Sequence, residues 1–93
     1  MANDFETIQK ENIHSLRFPA TEVLKDKMAI HQRISELHRA LSLGNLEHSK
    51  IRIYFEDSLS KKMVETTVWA VTDESVILKQ GVGIPINRIF MTF

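Results

Sequence analysis

Residues 50–93 decide the fold of this chain: KIRIYFEDSLSKKMVETTVWAVTDESVILKQGVGIPINRIFMTF. The stretch consists of β-forming segments separated by short polar turns, and no gap is long enough for a helical crossover, so we expect antiparallel pairing. Over residues 50–56, Ile51, Ile53 and Phe55 alternate with outward-facing residues, which predicts a strand with one buried face. The whole stretch is therefore predicted to form a β-meander.

The next two predicted strands cover residues 62–72 and 75–80. The first of them is rich in β-branched residues, and its apolar side chains change faces along its length. Such a change usually accompanies a bend in the strand, or burial of both its faces. We predict that Trp69 belongs to the core, because it lies in the most apolar part of this strand.

The last strand is predicted over residues 84–91. Pro85 has no amide proton, so this strand should lie at a sheet edge or contain a bulge. Ile84 and Ile86 are expected to face the core. An edge of this kind could accept an additional strand from another subunit or from an extended peptide.

An amphipathic helix is predicted to precede the strands, within residues 19–44 and with its regular part at about 21–43. Thr21 is the predicted N-cap, and Gly44-Asn45 is predicted to supply a left-handed stop. The helical spacing predicts one apolar stripe made of Ile30, Ile34, Leu37 and Leu41. Since a helix that is apolar on one side must bury that side, we expect the stripe to pack on the sheet.

These segments predict one α+β domain of 93 residues. Its helix should pack on a four- to five-stranded antiparallel sheet that curls like a small barrel. Residues 1–18 show no clear apolar period. They are expected to form either a frayed arm or a short helix that opens with a capping box at Asn3 and Glu6.

The composition argues against several classes of protein. Twelve Lys and Arg balance twelve Asp and Glu, and neither half of the chain is basic, so non-specific binding to a nucleic-acid backbone is disfavoured. There is no cysteine, which removes disulfides and cysteine-ligated metals. No apolar run reaches the ~20 residues that span a bilayer, and the first residues lack a signal-peptide pattern. We therefore expect a cytoplasmic protein without a membrane partner.

The order of the segments resembles the Sm-like and SH3-like small barrels, and among them the bacterial riboregulator Hfq. The likeness lies in four segments, residues 51–55, 68–71, 75–79 and 84–89. This resemblance implies a protein that forms rings and binds RNA. Hfq carries a Lys-His pair for RNA in its last strand, and the matching positions here are Ile86 and Asn87, followed by Arg88. The chain is also similar to small bacterial families of this shape, from which no activity follows.

Two groups of residues are candidate binding residues. Arg52, Tyr54 and Lys62 could share a solvated face that stacks a base or a peptide side chain, because an aromatic ring beside cationic groups is a common recognition pair. The resemblance implies Asn87 and Arg88 as further candidates, since they lie at and beside the positions that match the RNA-binding pair of Hfq.

No catalytic or metal-binding residues are predicted. His31 and His38 would lie about 10 Å apart along the helix axis, which is too far for one ion, and no nucleophile triad, phosphate loop or zinc-protease motif is present. The sequence therefore predicts a non-enzymatic binding module of a regulatory type, without a cofactor, that recognises a protein or nucleic-acid segment, with RNA as the expected nucleic acid. The alternative is a structural protein that assembles into homo-oligomers through strand edges or the helix.

Overall fold

The computed structural model describes residues 5–93, and it has the α+β architecture that the sequence predicts. Among these described residues, one long helix, α1, is accompanied by seven short strands and three 3-10 turns. The helix and strands are β1 (Glu6–Thr7), α1 (Lys27–Glu47), β2 (Ile51–Glu56), β3 (Lys61–Thr66), β4 (Val68–Val71), β5 (Ser75–Leu78), β6 (Gly83–Pro85) and β7 (Ile89–Thr92). The 3-10 turns cover Lys10–Ser15, Lys79–Gly81 and Ile86–Arg88.

The strands form two sheets, and no closed barrel is present among residues 5–93, so the curled single sheet or barrel is wrong. One sheet has the strand order β1-β3-β2-β7 and the other the order β4-β5-β6. The predicted strand over residues 62–72 does bend, and it divides into β3 and β4 at the buried Thr67. Pairing within residues 50–93 is antiparallel, as predicted, whereas β1 pairs with β3 in parallel.

The predicted last strand also divides, because a 3-10 turn separates β6 from β7. β6 ends its sheet at an edge, as the proline predicts. The Ile86 amide donates to the Glu74 carbonyl at 2.8 Å. The adjacent pair, Ser75 and Pro85, is therefore a non-hydrogen-bonded pair of the antiparallel ladder. The backbone amide and carbonyl groups of each residue point away from the other strand. The missing amide proton of Pro85 thus costs the sheet no hydrogen bond. Ile84 is fully buried and Ile86 packs against the core.

The helix begins at Lys27, well after the predicted cap at Thr21, so that boundary is wrong. Asp26 is the N-cap, and its carboxylate accepts a hydrogen bond from the Met28 amide at 3.2 Å. Thr21 is held elsewhere: the Arg88 guanidinium donates to its carbonyl at 2.7 Å and to its hydroxyl at 3.0 Å. Because these groups bond to a distant part of the chain, the segment before Asp26 does not continue the helix.

The end of the helix also differs from the prediction, because α1 continues through Gly44 and Asn45 to Glu47. The left-handed residue is His48, with φ 55° and ψ 30°, and its amide donates to the Gly44 carbonyl at 3.1 Å. Gly44 instead lets the helix approach β4, since a Cβ atom built there would collide with the carbonyl oxygen of Val68. The glycine is therefore needed for close packing, not for a turn.

The buried stripe of α1 is displaced from the predicted one. It consists of Arg33, Leu37, Ala40 and Gly44. Leu37 is 1% exposed, which confirms its predicted burial, whereas Ile34 is 45% exposed and its predicted burial is wrong. The small residues Ala40 and Gly44 form the C-terminal half of the stripe, where the helix backbone comes close to β4.

Trp69 is half exposed, so its predicted place in the core is wrong. The pairing of β4 with β5 shifts register between Val68 and Ala70, and Trp69 lies at that irregularity. Its neighbour Val68 is fully buried. The irregularity thus places the smaller side chain in the core and leaves the indole at the surface.

The outer edge of β7 is covered by α1. The Thr92 amide donates to the Glu36 carboxylate at 3.0 Å, and the Ile89 carbonyl accepts from the Arg33 guanidinium at 3.0 Å. Side chains of the helix therefore satisfy backbone groups that an edge strand would otherwise leave open.

The N-terminal segment packs on the core through Ile8, Ile13, Leu16 and Phe18. Asn3, the first residue of the predicted capping box, lies outside the described residues, and Glu6 belongs to β1 and not to a helix. A 3-10 turn follows over Lys10–Ser15, and its Ile13 is 1% exposed. This turn begins after Gln9 and does not open with the predicted capping box.

Candidate functional site

The outer surface of the four-stranded sheet carries a cluster of aromatic and methionine side chains, which we call the aromatic face. Tyr54 on β2 stands directly opposite Met63 on β3 and Met91 on β7, so the three side chains share this surface. The aromatic face consists of Phe5, Tyr54, Met63, Phe90, Met91 and Phe93. It holds four of the seven aromatic residues of the chain.

The rings of the aromatic face contact one another edge to face. The Phe5 centroid lies 5.0 Å from that of Tyr54 and 5.7 Å from that of Phe90, with interplanar angles of 79°. The Tyr54 and Phe93 centroids are 5.7 Å apart, at 83°. This geometry is favourable for aromatic pairs. Phe93 remains 67% exposed, and the other three rings are half-buried, so the rings pack on one another and are still accessible.

Two features of the backbone create this surface. In β2 the strict alternation buries Ile53 and Phe55 and turns Tyr54 outward. The pairing of β7 with β2 shifts register between Tyr54 and Phe55. As a result, both Phe90 and Met91 are half-buried, and neither joins the core. One regular strand and one irregular strand therefore supply neighbouring rings.

Charged residues of both signs border the aromatic face. Lys61 Nζ lies 6.0 Å from the Phe5 centroid and 5.7 Å from the Phe90 centroid, within reach of a cation–π interaction. The strand register places Lys61 opposite Glu56 and Arg52 opposite Glu65. The border is therefore nearly neutral.

Of the residues predicted from the sequence, Arg52 and Tyr54 lie on this surface, but Lys62 does not. Lys62 is buried on the opposite side of β3, where its ammonium lies 3.0 Å from the Asp57 carboxylate and donates to the Ser60 hydroxyl at 2.7 Å. The predicted solvated face with Lys62 is therefore wrong, because the alternation of β3 turns Lys62 inward. Lys61 takes its place beside the rings.

Asn87 and Arg88 lie elsewhere in the structure, where they donate hydrogen bonds to the segment that precedes α1. The Asn87 side-chain amide donates to the Ala20 carbonyl at 2.6 Å. Arg88 is 6% exposed, and besides Thr21 it donates to the Glu56 carbonyl at 3.0 Å. Both side chains are thus engaged with backbone carbonyls, and neither reaches the aromatic face.

No protein-family model matches the chain, and no curated protein and no solved structure is significantly similar to it. The likeness to Sm-like proteins and Hfq therefore stays a prediction. The positions matched to the Hfq pair fall in the 3-10 turn between β6 and β7.

Within residues 5–93, no group of three or more His, Cys, Asp or Glu side chains is placed to hold a metal ion. Over the same residues, no helix combines the length and apolarity needed to cross a membrane. 

A groove of about 470 Å³ lies between α1 and the turn that joins β4 to β5. Its main charged feature is the pair of Arg33 and Glu22, joined by two hydrogen bonds of 2.6 and 2.7 Å. The bond from Arg33 holds the pKa of Glu22 below its usual range. Because Arg33 also donates to the Ile89 carbonyl, it connects the segment before α1 to the sheet.

The hairpin between β2 and β3 is closed by Asp57. Burial raises the pKa of this carboxyl, but the amides of Ser60 and Leu59, each 2.9 Å away, and the Lys62 ammonium lower it by more in sum. The pKa of Asp57 therefore lies below its ordinary value. Ionised Asp57 is a structural residue that fixes the turn.

The low pKa of Asp57 predicts how acid affects stability. Because the pKa is lower in the folded than in the unfolded chain, the ionised carboxylate stabilises the fold at neutral pH, and this contribution is lost as pH falls through the folded-state pKa. Asp57→Asn should cost about 2 kcal/mol at pH 7 and should narrow the difference in unfolding free energy between pH 7 and pH 3. Urea titrations at both pH values measure this difference. Equal pH sensitivity in the variant and the parent would contradict the assignment.

Proposed function

We propose that this chain is a non-enzymatic protein-interaction module that docks its partner on the aromatic face. The observation that carries the proposal is the clustering of four aromatic rings and two methionines on one exposed sheet surface. Tyr, Phe, Met and Arg are the residue types that are enriched at protein interfaces. An ordered aromatic cluster also loses little side-chain entropy on binding.

The charges around the aromatic face favour a protein over a nucleic acid. A surface that binds single-stranded nucleic acid combines stacking rings with a positively charged groove along the backbone. Here Arg52 and Lys61 are matched by Glu65 and Glu56, so no positive track accompanies the rings. The partner should instead present apolar side chains flanked by charges of both signs.

One edge of each sheet, that of β7 and that of β6, supports docking on a face over assembly through strand edges. Helix side chains cover the outer edge of β7, and Pro85 lies on the outer strand of the other sheet. Of the predicted modes of interaction, recognition of a partner thus agrees better with the structure than strand-to-strand polymerisation.

The test compares two exposed positions, Phe93 on the aromatic face and Leu59 at the hairpin tip. The immobilised chain should capture a protein from native extract, and the captured protein should then be purified. We expect Phe93→Ser to weaken its binding at least tenfold in a titration, whereas Leu59→Ser leaves binding unchanged. Both variants should retain the parent's melting temperature, because both side chains are largely exposed.

Three results would refute the proposal. The first is equal binding of the purified partner by Phe93→Ser and the parent. The second is tight binding of a uridine-rich RNA oligonucleotide that depends on Phe93, which would identify a nucleic-acid module. The third is a concentration-dependent dimer in light scattering that Phe93→Ser abolishes, because the face would then serve self-assembly.

A further inference from the structure

The shortest strand among residues 5–93 lies beside the aromatic face. β1 consists of Glu6 and Thr7 only, pairs in parallel with Lys62 and Met63, and lies on the outer edge of β3. The next amide, that of Ile8, donates to the Met63 carbonyl at 2.9 Å. Both β1 side chains are exposed. The strand is thus held mainly by its backbone and by its flanking residues.

Phe5, which precedes β1, packs on the aromatic face against two of its other rings. Its ring meets both Tyr54 and Phe90 edge to face. An extended segment with one aromatic side chain therefore already lies against this surface, within the same chain. Its contacts show which chemistry the surface accepts: backbone pairing to β3 and one ring among the exposed rings.

We propose that β1 and Phe5 occupy the docking position of the partner, and that an extended partner segment with an aromatic residue replaces them on β3. This inference rests on the proposed function and specifies its ligand. Added strands of this kind gain affinity from main-chain hydrogen bonds and specificity from side-chain positions.

The surroundings of Phe5 select an aromatic over an aliphatic side chain. Edge-to-face contact with Tyr54 and Phe90 needs a ring, and so does the interaction with Lys61 Nζ, 6.0 Å from the Phe5 centroid. A leucine at the same position would retain apolar burial but would lose the edge-to-face contacts and the cation–π interaction. Partner segments should therefore rank with Phe above Leu and Leu above Ala.

The partner segment belongs to a different protein and not to a second copy of this chain. Ile8 and Gln9 alone connect β1 to the following 3-10 turn, whose Ile13 is anchored in the core. So short a connection cannot carry β1 across to a neighbouring molecule without bringing the two domains into contact.

The arm competes with the partner as an intramolecular ligand. A segment tethered by a short flexible linker has an effective concentration on the order of 1 mM. Weakening the arm should therefore raise the affinity for a peptide that binds in its place. Phe5→Ala removes the ring and leaves the rest of the chain intact. Leu46→Ala, at an exposed position near the end of α1, is the matched control.

The experiment titrates the isotope-labelled full chain with the capped peptide Phe-Glu-Thr-Ile-Gln, the sequence of residues 5–9. We expect the peptide to shift the amide signals of Tyr54 and Met63, and to bind Phe5→Ala at least fivefold more tightly than either the parent or Leu46→Ala. Peptides with Leu or Ala in the first position should bind Phe5→Ala more weakly, in that order.

Equal affinity for Phe5→Ala and the parent would overturn the inference, and so would equal binding of the Phe and Ala peptides. Dimers of the parent with exchanged arms would overturn the choice of a different protein as partner. These failures are distinguishable from failure of the proposed function. If the purified partner still depends on Phe93 while the peptide does not compete with it, the face docks a partner without replacing β1.

Discussion

Replacing Gly44 with alanine is expected to destabilise the protein by about 3 kcal/mol. The added Cβ would collide with the carbonyl oxygen of Val68 and lie 3.2 Å from Cγ2 of Thr67. A backbone carbonyl cannot rotate away as a flexible side chain can, so α1 and β4 must separate. At an exposed position in a helix, replacing glycine with alanine would stabilise a protein by about 1 kcal/mol. The collision with β4 therefore turns an expected gain in stability into a loss.

Chemical denaturation of Gly44→Ala and of Asn45→Ala measures this effect. Asn45 is the next residue of α1 and is exposed, so Asn45→Ala should be neutral or slightly stabilising through helix propensity. A Gly44→Ala variant at least as stable as the parent would show that the helix does not approach β4 as closely as the structure has it.

Leu37→Ala is expected to cost about 3 kcal/mol, because Leu37 is 1% exposed and its removal leaves a cavity between α1 and the sheets. Ile34→Ala, one turn earlier on the helix, should cost about 1 kcal/mol or less, since Ile34 is 45% exposed. The two substitutions remove apolar side chains of the same size. The difference between the two losses of stability therefore shows which side of the helix faces the sheets.

Urea denaturation of both variants distinguishes the two orientations of the helix. Equal losses of about 3 kcal/mol would favour the apolar stripe predicted from the sequence. A loss at Ile34 that exceeds the loss at Leu37 would contradict the packing of α1 on β4 and β7.

Local patterns predicted the strands well where one face is buried. The alternation of Ile51, Ile53 and Phe55 gave β2 nearly to the residue, and the chemistry of Pro85 gave the edge position of β6. Both features depend on neighbours in the chain and on general backbone geometry. Long-range contacts had little part in either prediction.

The helix boundaries depended on contacts that no local pattern contains. Thr21 is a good cap by residue type, but Arg88 binds its carbonyl and hydroxyl, and Asp26 becomes the cap. Gly44 likewise resembles a helix stop, but the approach of β4 explains its presence inside the helix. Tertiary packing overrode local propensity at both ends.

Only part of the aromatic face could be predicted from the sequence. Arg52 and Tyr54 follow from the alternation of β2, whereas Phe5 reaches the same surface through parallel pairing with a strand far along the chain. Phe90 reaches it through a register shift. The outward alternation of β3 could have identified Lys61 in place of Lys62 as the exposed lysine.

The cover that α1 provides for β7 has a consequence for heating. If α1 detaches before the sheets unfold, the Thr92 amide and the Ile89 carbonyl lose Glu36 and Arg33 and become open to strands of other molecules. Aggregation should then begin from a partly folded species that still contains β2 and β7. Thermal unfolding would become irreversible at high protein concentration, and Glu36→Ala would lower the temperature at which turbidity appears.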